Sequence, residues 1–184
     1  MIKNAEDGMT AEYIYKFAKA CEAVFGTSDP EEIFRLRKAK VRDGAPEGLR
    51  GLVSTVNGTV VVCLDPSQPA SLRKCAAAKL LGHSLLHRGR VARGETFEIP
   101  YGEGGGSASD KEADIFAAEL LIPDAKITES FAAGCSEGQI ASLFGGMREL
   151  VPYKLFSMRA RGIAIGDDVC RADFLKRCDV ELFF

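Results

Sequence analysis

Ala76-Ala77-Ala78-Lys79-Leu80-Leu81-Gly82-His83-Ser84-Leu85-Leu86-His87 is the stretch that decides how this 184-residue chain folds. Wound as a helix, it is apolar on almost every side. Leu72, Ala76, Leu80 and His83 follow one flank, and Ala77, Leu81, Ser84 and Leu85 another. A helix apolar all round belongs in the interior, so it is expected to be the central helix, at about residues 70 to 87. Lys79 and His83 nevertheless share a face of it, one turn apart. That is the spacing of the two histidines in His-Glu-x-x-His, where both bind zinc and the Glu activates a water. Here Lys79 stands at the first His and Leu80 at the Glu, and His83 alone is kept.

Downstream lies Lys111-Glu112-Ala113-Asp114-Ile115-Phe116-Ala117-Ala118-Glu119-Leu120-Leu121-Ile122-Pro123. Lys79 to His87 and Glu112 to Pro123 together resemble the ImmA/IrrE family of zinc metallopeptidases. The resemblance spans roughly residues 10 to 162, and its specific part is these two motifs. The second motif is nearly complete. The first keeps its frame of Gly82, His83, Leu85, Leu86 and His87 but not its chemistry. In that family two helix histidines and a downstream Glu bind zinc. Carried over, the ligand positions are Lys79, His83 and Glu112, and the general-base position is Leu80. The resemblance therefore implies an inherited zincin-like fold with no catalytic residues in place. It also implies a cleft lined by Lys79, His83 and Glu112. Lys79 is expected to replace the metal there through an ion pair or short water bridge to Glu112, with His83 near enough to hydrogen-bond one of them.

Net charge is −2, so no global basic field draws the chain to nucleic acid or anionic lipid. The N-terminus is polar and lacks a signal-peptide core, and no apolar run is long enough for a membrane span. The six cysteines, at 21, 63, 75, 135, 170 and 178, form no Cys-x-x-Cys pair. Reduced, mostly buried thiols in the cytoplasm are the expectation.

Residues 10 to 25 carry Ile14, Phe17, Cys21 and Val24 at helical spacing, closed by Gly26. Ser28-Asp29-Pro30-Glu31-Glu32 opens a second helix, with Ile33, Phe34 and Leu36 as its apolar side. Arg35, Arg37, Lys38 and Lys40 are expected in its C-terminal half, favoured there by the helix dipole. Leu52 to Val56 and Thr59 to Leu64 flank Asn57-Gly58, a strong hairpin signal because both turn residues take positive φ. Residues 89 to 108 are glycine-rich and read as a long loop, with Thr96 to Pro100 as a short strand or a cover for the cleft. Ser109-Asp110-Lys111-Glu112 fits a capping box, which gives Glu112 a competing role at the helix terminus. Ile127 to Ala133 reads as a short helix. Ser136 to Gln139 is a further capping box, and Pro152 to Arg161 a last helix. Phe174, Leu175 and Leu182 to Phe184 give an apolar tail that either docks on the body or forms a dimer contact.

The expected fold is α+β: mostly helical, with a small antiparallel sheet on the central helix and a helix-turn-helix-like pair after it. Residues 1–123 form the metallopeptidase-like domain, and residues 124–184 a helical subdomain packed on it. Four functions fit. The leading one is a catalytically degenerate, regulatory binding module for a helix-turn-helix repressor of a mobile element or stress operon. The second is an active zinc metallopeptidase with unusual ligands that cleaves such a repressor. Asp110 or Asp114 would serve it as base only if the loop folds over. The third is a DNA-binding regulator using residues 136–161, with Arg148, Lys154, Arg159 and Arg161 as phosphate contacts, though Glu137 and Glu149 dilute their charge. The fourth holds zinc inertly on His83, Glu112 and His87. No cofactor is expected on the leading reading.

Overall fold

The computed structural model describes residues 8–101 and 106–165. The apolar tail beyond Arg171 lies outside these residues. Helix α1, Ala11–Phe25, begins where Thr10 accepts a hydrogen bond from the Tyr13 amide, and ends at Gly26 with φ of 69°. Its buried stripe is Ala11, Ile14, Ala18 and Cys21, continued by Phe25. That period of three and four leaves Val24 77% exposed, against expectation. Helix α2, Pro30–Leu36, is capped by Asp29, whose side chain accepts from the amides of Glu31 and Glu32. It buries Ile33 and Phe34.

The basic run after α2 is not helical. Lys38 takes a positive φ of 61°, and Lys40–Asp43 form strand β1. β2, Leu49–Val56, and β3, Thr59–Leu64, make the expected hairpin, with Asn57 and Gly58 at φ of 49° and 73°. β4, Phe97–Pro100, adds to β2 antiparallel, while β1 adds to β3 in parallel. The order β1-β3-β2-β4 is therefore a mixed sheet, not a purely antiparallel one. β1 is recruited by unpaired main-chain groups along β3, and its charged side chains suit a solvated sheet edge.

Helix α3, Ala70–Leu86, crosses this sheet and buries Cys75, Ala76, Ala77, Ala78, Leu80, Leu81, Gly82, His83 and Ser84. Its contact with the sheet is close at Gly51, where the β2–β4 register slips. A Cβ at Gly51 would lie 2.8 Å from the Cys63 carbonyl oxygen and 3.0 Å from Leu80 Cδ1. Gly51→Ala should cost about 1–3 kcal/mol by overpacking. Thermal unfolding checks this, and an unchanged Tm would place α3 farther from the sheet.

Helix α4, Arg88–Ala92, arises inside the stretch read as loop. Helix α5, Ala108–Leu121, packs on α3 and α1. Gly82 lets α3 and α5 approach, since a Cβ there would sit 3.1 Å from Ala113 Cα. Helices α6, Asp124–Ala132, and α7, Glu137–Leu143, follow, the latter with the expected Ser136–Gln139 capping box. A 3-10 turn over Gly145–Leu150 leads to α8, Val151–Ala160, which packs on α5 and α1. An ion cluster joins these helices. Lys154 Nζ meets Glu119 and lies 2.5 Å from Asp124, and Arg161 reaches the same two carboxylates at 3.2 and 2.8 Å. The Arg161 guanidinium also lies 3.8 Å from the Tyr15 ring centroid.

Candidate functional site

The site lies where α3 and α5 face each other. Lys79 pairs with Asp114 and His83 Nε2 lies 3.5 Å from Asp110, so the two helices run antiparallel. The start of α5 sets which carboxylates point inward. Ser107 is its cap, and Ser107 and Asp110 form the capping box, two residues earlier than the sequence suggests. Ser107-Ala108-Ser109-Asp110 carries the same pattern as Ser109 to Glu112, so either frame was open to a sequence reading. The earlier frame frees Glu112 from the helix terminus.

Lys79 does not pair with Glu112. Its Nζ lies 2.7 Å from Asp114 Oδ1 and 3.6 Å from Glu149 Oε1. Tyr153 also hydrogen-bonds Asp114, and Arg50 Nη1 holds Glu149 at 3.0 Å. The cause is the rotation of α5: Asp114 faces α3 at the level of Lys79, whereas Glu112 turns toward His87 and the segment before α1. Burial pulls the Lys79 pKa down, but Asp114 and Glu149 outweigh it, so the value is raised and the ammonium is kept.

His83 is 1% exposed. Its ring stacks on Phe97 with centroids 4.3 Å apart, and Nε2 lies 3.5 Å from Asp110 Oδ1. Nδ1 is buried with no hydrogen-bond partner among the described residues. Burial, then the neighbouring His87, Arg90 and Lys79, push the His83 pKa down to about 3. The folded chain thus binds fewer protons here than the unfolded one. Stability carried by neutral His83 is complete above about pH 6.5 and is lost as pH falls toward 3. An NMR titration should find His83 neutral at pH 5, and a protonated ring there would contradict its burial. His87 Nε2 lies 3.3 Å from the Ser109 carbonyl and 3.5 Å from Glu112 Oε2. Glu112 is 4% exposed, and its Oε1 accepts the Met9 main-chain N–H at 2.5 Å.

Leu80, at the general-base position, is 0% exposed and points to the sheet beside Gly51 and Leu64. Sequence reasoning missed Arg50 and Tyr153 as site residues, gave Glu149 no place in it, and offered Phe97 only within the stretch read as a strand or a cover for the cleft. It named Asp110 and Asp114 only for a loop that folds over, yet both already lie on α3 as part of α5.

The donor set does not suit the family's zinc. An ammonium at the first ligand position donates hydrogen bonds and has no lone pair to give while charged. His83 and His87 turn their Nε2 atoms to different carboxylates, Asp110 and Glu112. Among the described residues no group of three His, Cys, Asp or Glu side chains could hold a metal ion.

No described helix is long and apolar enough to cross a membrane. A search of curated proteins returns no match. A family model described as the IrrE N-terminal-like domain matches residues 37–156, taking in the sheet, α3, α5 and most of α8. With about two thirds of its length matched in this way, the chain belongs to the family of IrrE N-terminal-like domains.

Proposed function

We propose that this chain is a regulatory binding module that keeps the metallopeptidase-like fold without peptidase chemistry. Its partner is a helix-turn-helix repressor of a mobile element or stress operon, bound in the reducing cytoplasm. The observation that carries this reading is the Lys79–Asp114 ion pair, 2.7 Å long, at the first metal-ligand position. Zinc hydrolysis requires an open metal position and a nearby proton acceptor. Lys79 fills the first place with a cation, and Leu80 replaces the second with hydrocarbon in the core. The partner itself is inferred from the resemblance of the two motifs to ImmA/IrrE proteins.

A DNA-binding role for residues 136–161 is less favoured by the ion pairs. Lys154 is fully buried, Arg161 is held by Glu119 and Asp124, and Arg159 lies 3.5 Å from Glu137. Those cations are already neutralised within the fold, and α8 buries Val151, Leu155 and Met158, as a structural helix does.

The test is incubation of the purified full chain with the repressor encoded beside it, with zinc added. The expected outcome is a complex that survives gel filtration and an uncleaved repressor. Chelator-sensitive cleavage by the unmodified chain would overturn the inactive reading. Failure to form any complex would overturn the partner.

A further inference from the structure

Glu112 carries an interaction that neither the motif nor the proposed function uses. Its Oε1 accepts the Met9 main-chain N–H at 2.5 Å, across 103 residues of sequence. A hydrogen bond from an amide to a buried carboxylate is charge-assisted and stronger than one between neutral groups. Oε2 of the same carboxylate lies 3.5 Å from His87 Nε2. Gly8 leaves little room beside the same oxygen, since a Cβ there would stand 3.2 Å from Oε1. Met9 is partly buried and packs against the core. Gly8 and Met9 together therefore lie over the Glu112–His87 end of the site.

This contact sits outside the helix that follows it. α1 starts at Ala11 behind its Thr10 cap, and Ile14 and Ala18, both fully buried, anchor it. Gly8 and Met9 can leave the site without any loss of α1 hydrogen bonds. We propose that Gly8–Met9 is a strap, which covers Glu112 and His87 in the resting chain and lifts by local opening to expose them. While it is down, the carboxylate is satisfied by the chain's own main chain. A segment that takes its place must likewise present a main-chain N–H to Glu112, next to a residue as small as glycine.

Hydrogen exchange on the full chain tests the strap. The Met9 amide should be protected relative to a free peptide, yet exchange by an opening much smaller than global unfolding. Gly8→Val should push the carboxylate aside. Met9 exchange should then speed up at least about tenfold, the effect of losing a hydrogen bond to a charged group. Carbethoxylation of His87 by diethylpyrocarbonate should accelerate with it, at unchanged circular dichroism. Met9→Pro removes the donor and the amide probe with it, so its readout is His87 alone, whose carbethoxylation should accelerate likewise. A Met9 amide that exchanges at the free-peptide rate would overturn the strap. One that exchanges only with the α5 core would make it a fixed anchor and overturn it as well, as would a His87 modification rate that neither variant changes. These readouts need no partner, so failure of the repressor complex would leave the strap standing.

Discussion

Lys154→Met is expected to cost about 3 kcal/mol of folding free energy, toward the lower end for a broken buried ion pair. Lys154 and Glu119 are each 0% exposed, and Asp124 lies 2.5 Å from the same ammonium. Methionine keeps most of the stem's volume, so the charge and its hydrogen bonds are what is lost. Glu119 would stay buried with Arg161 at 3.2 Å as its remaining cation, which is why the cost stays near the lower bound. The pH dependence has a definite sign. Burial alone would raise the Asp124 pKa, but hydrogen bonds and charge from Arg161 and Lys154 bring it down to about 2. Stability from Asp124 is therefore complete above about pH 4 and lost as pH falls toward 2. That acid step should shrink in the variant. Urea unfolding at pH 7 measures the main effect. A loss below about 1 kcal/mol with an unchanged m-value would mean that the cluster is solvated and only weakly coupled.

The parts of the fold that sequence exposed were those set by local rules. The residues around Lys79 to His87 are apolar on every side, and such a helix has no stable place except the centre. Asn57-Gly58 announces its hairpin because few other residue pairs accept two positive φ angles. β1 escaped because Lys40-Val41-Arg42-Asp43 has three charged residues in four. It is a strand only because β3, some twenty residues later, offers an unpaired edge. The site was half legible for a related reason. Helical spacing placed Lys79 and His83 on one face, but Lys79's partner depends on how α5 is turned against α3. That rotation follows from the Ser107 cap and the close approach at Gly82, neither of which can be ranked by pattern alone. The Met9–Glu112 contact had no local signal at all, because a main-chain donor can come from any residue except proline.

Leu80→Glu restores the family's base by sequence, yet it is expected to destabilise the chain more than any other single change considered, by about 4 kcal/mol or more. Leu80 is fully buried, and its Cδ1 lies at the close contact with Gly51. Removing a buried leucine side chain typically costs about 2–5 kcal/mol, and a carboxyl placed there without partners adds a desolvation cost. Burial raises the pKa of the new carboxyl above its unfolded value of about 4.3. The folded variant then binds more protons than the unfolded one. Its penalty should be smallest below about pH 4 and grow as pH rises above that value. Leu80→Gln, which cannot ionise, should cost a similar amount at low pH but show no such growth. Adding Lys79→His supplies the missing ligand. Zinc would then bind the folded form alone, and the double variant should gain Tm on zinc addition through mass action. The unmodified chain should gain none. If Leu80→Glu unfolds with native stability at pH 8, position 80 opens to solvent instead of the core. The general-base position would then be part of an accessible cleft, and the loss of peptidase chemistry would rest on Lys79 alone.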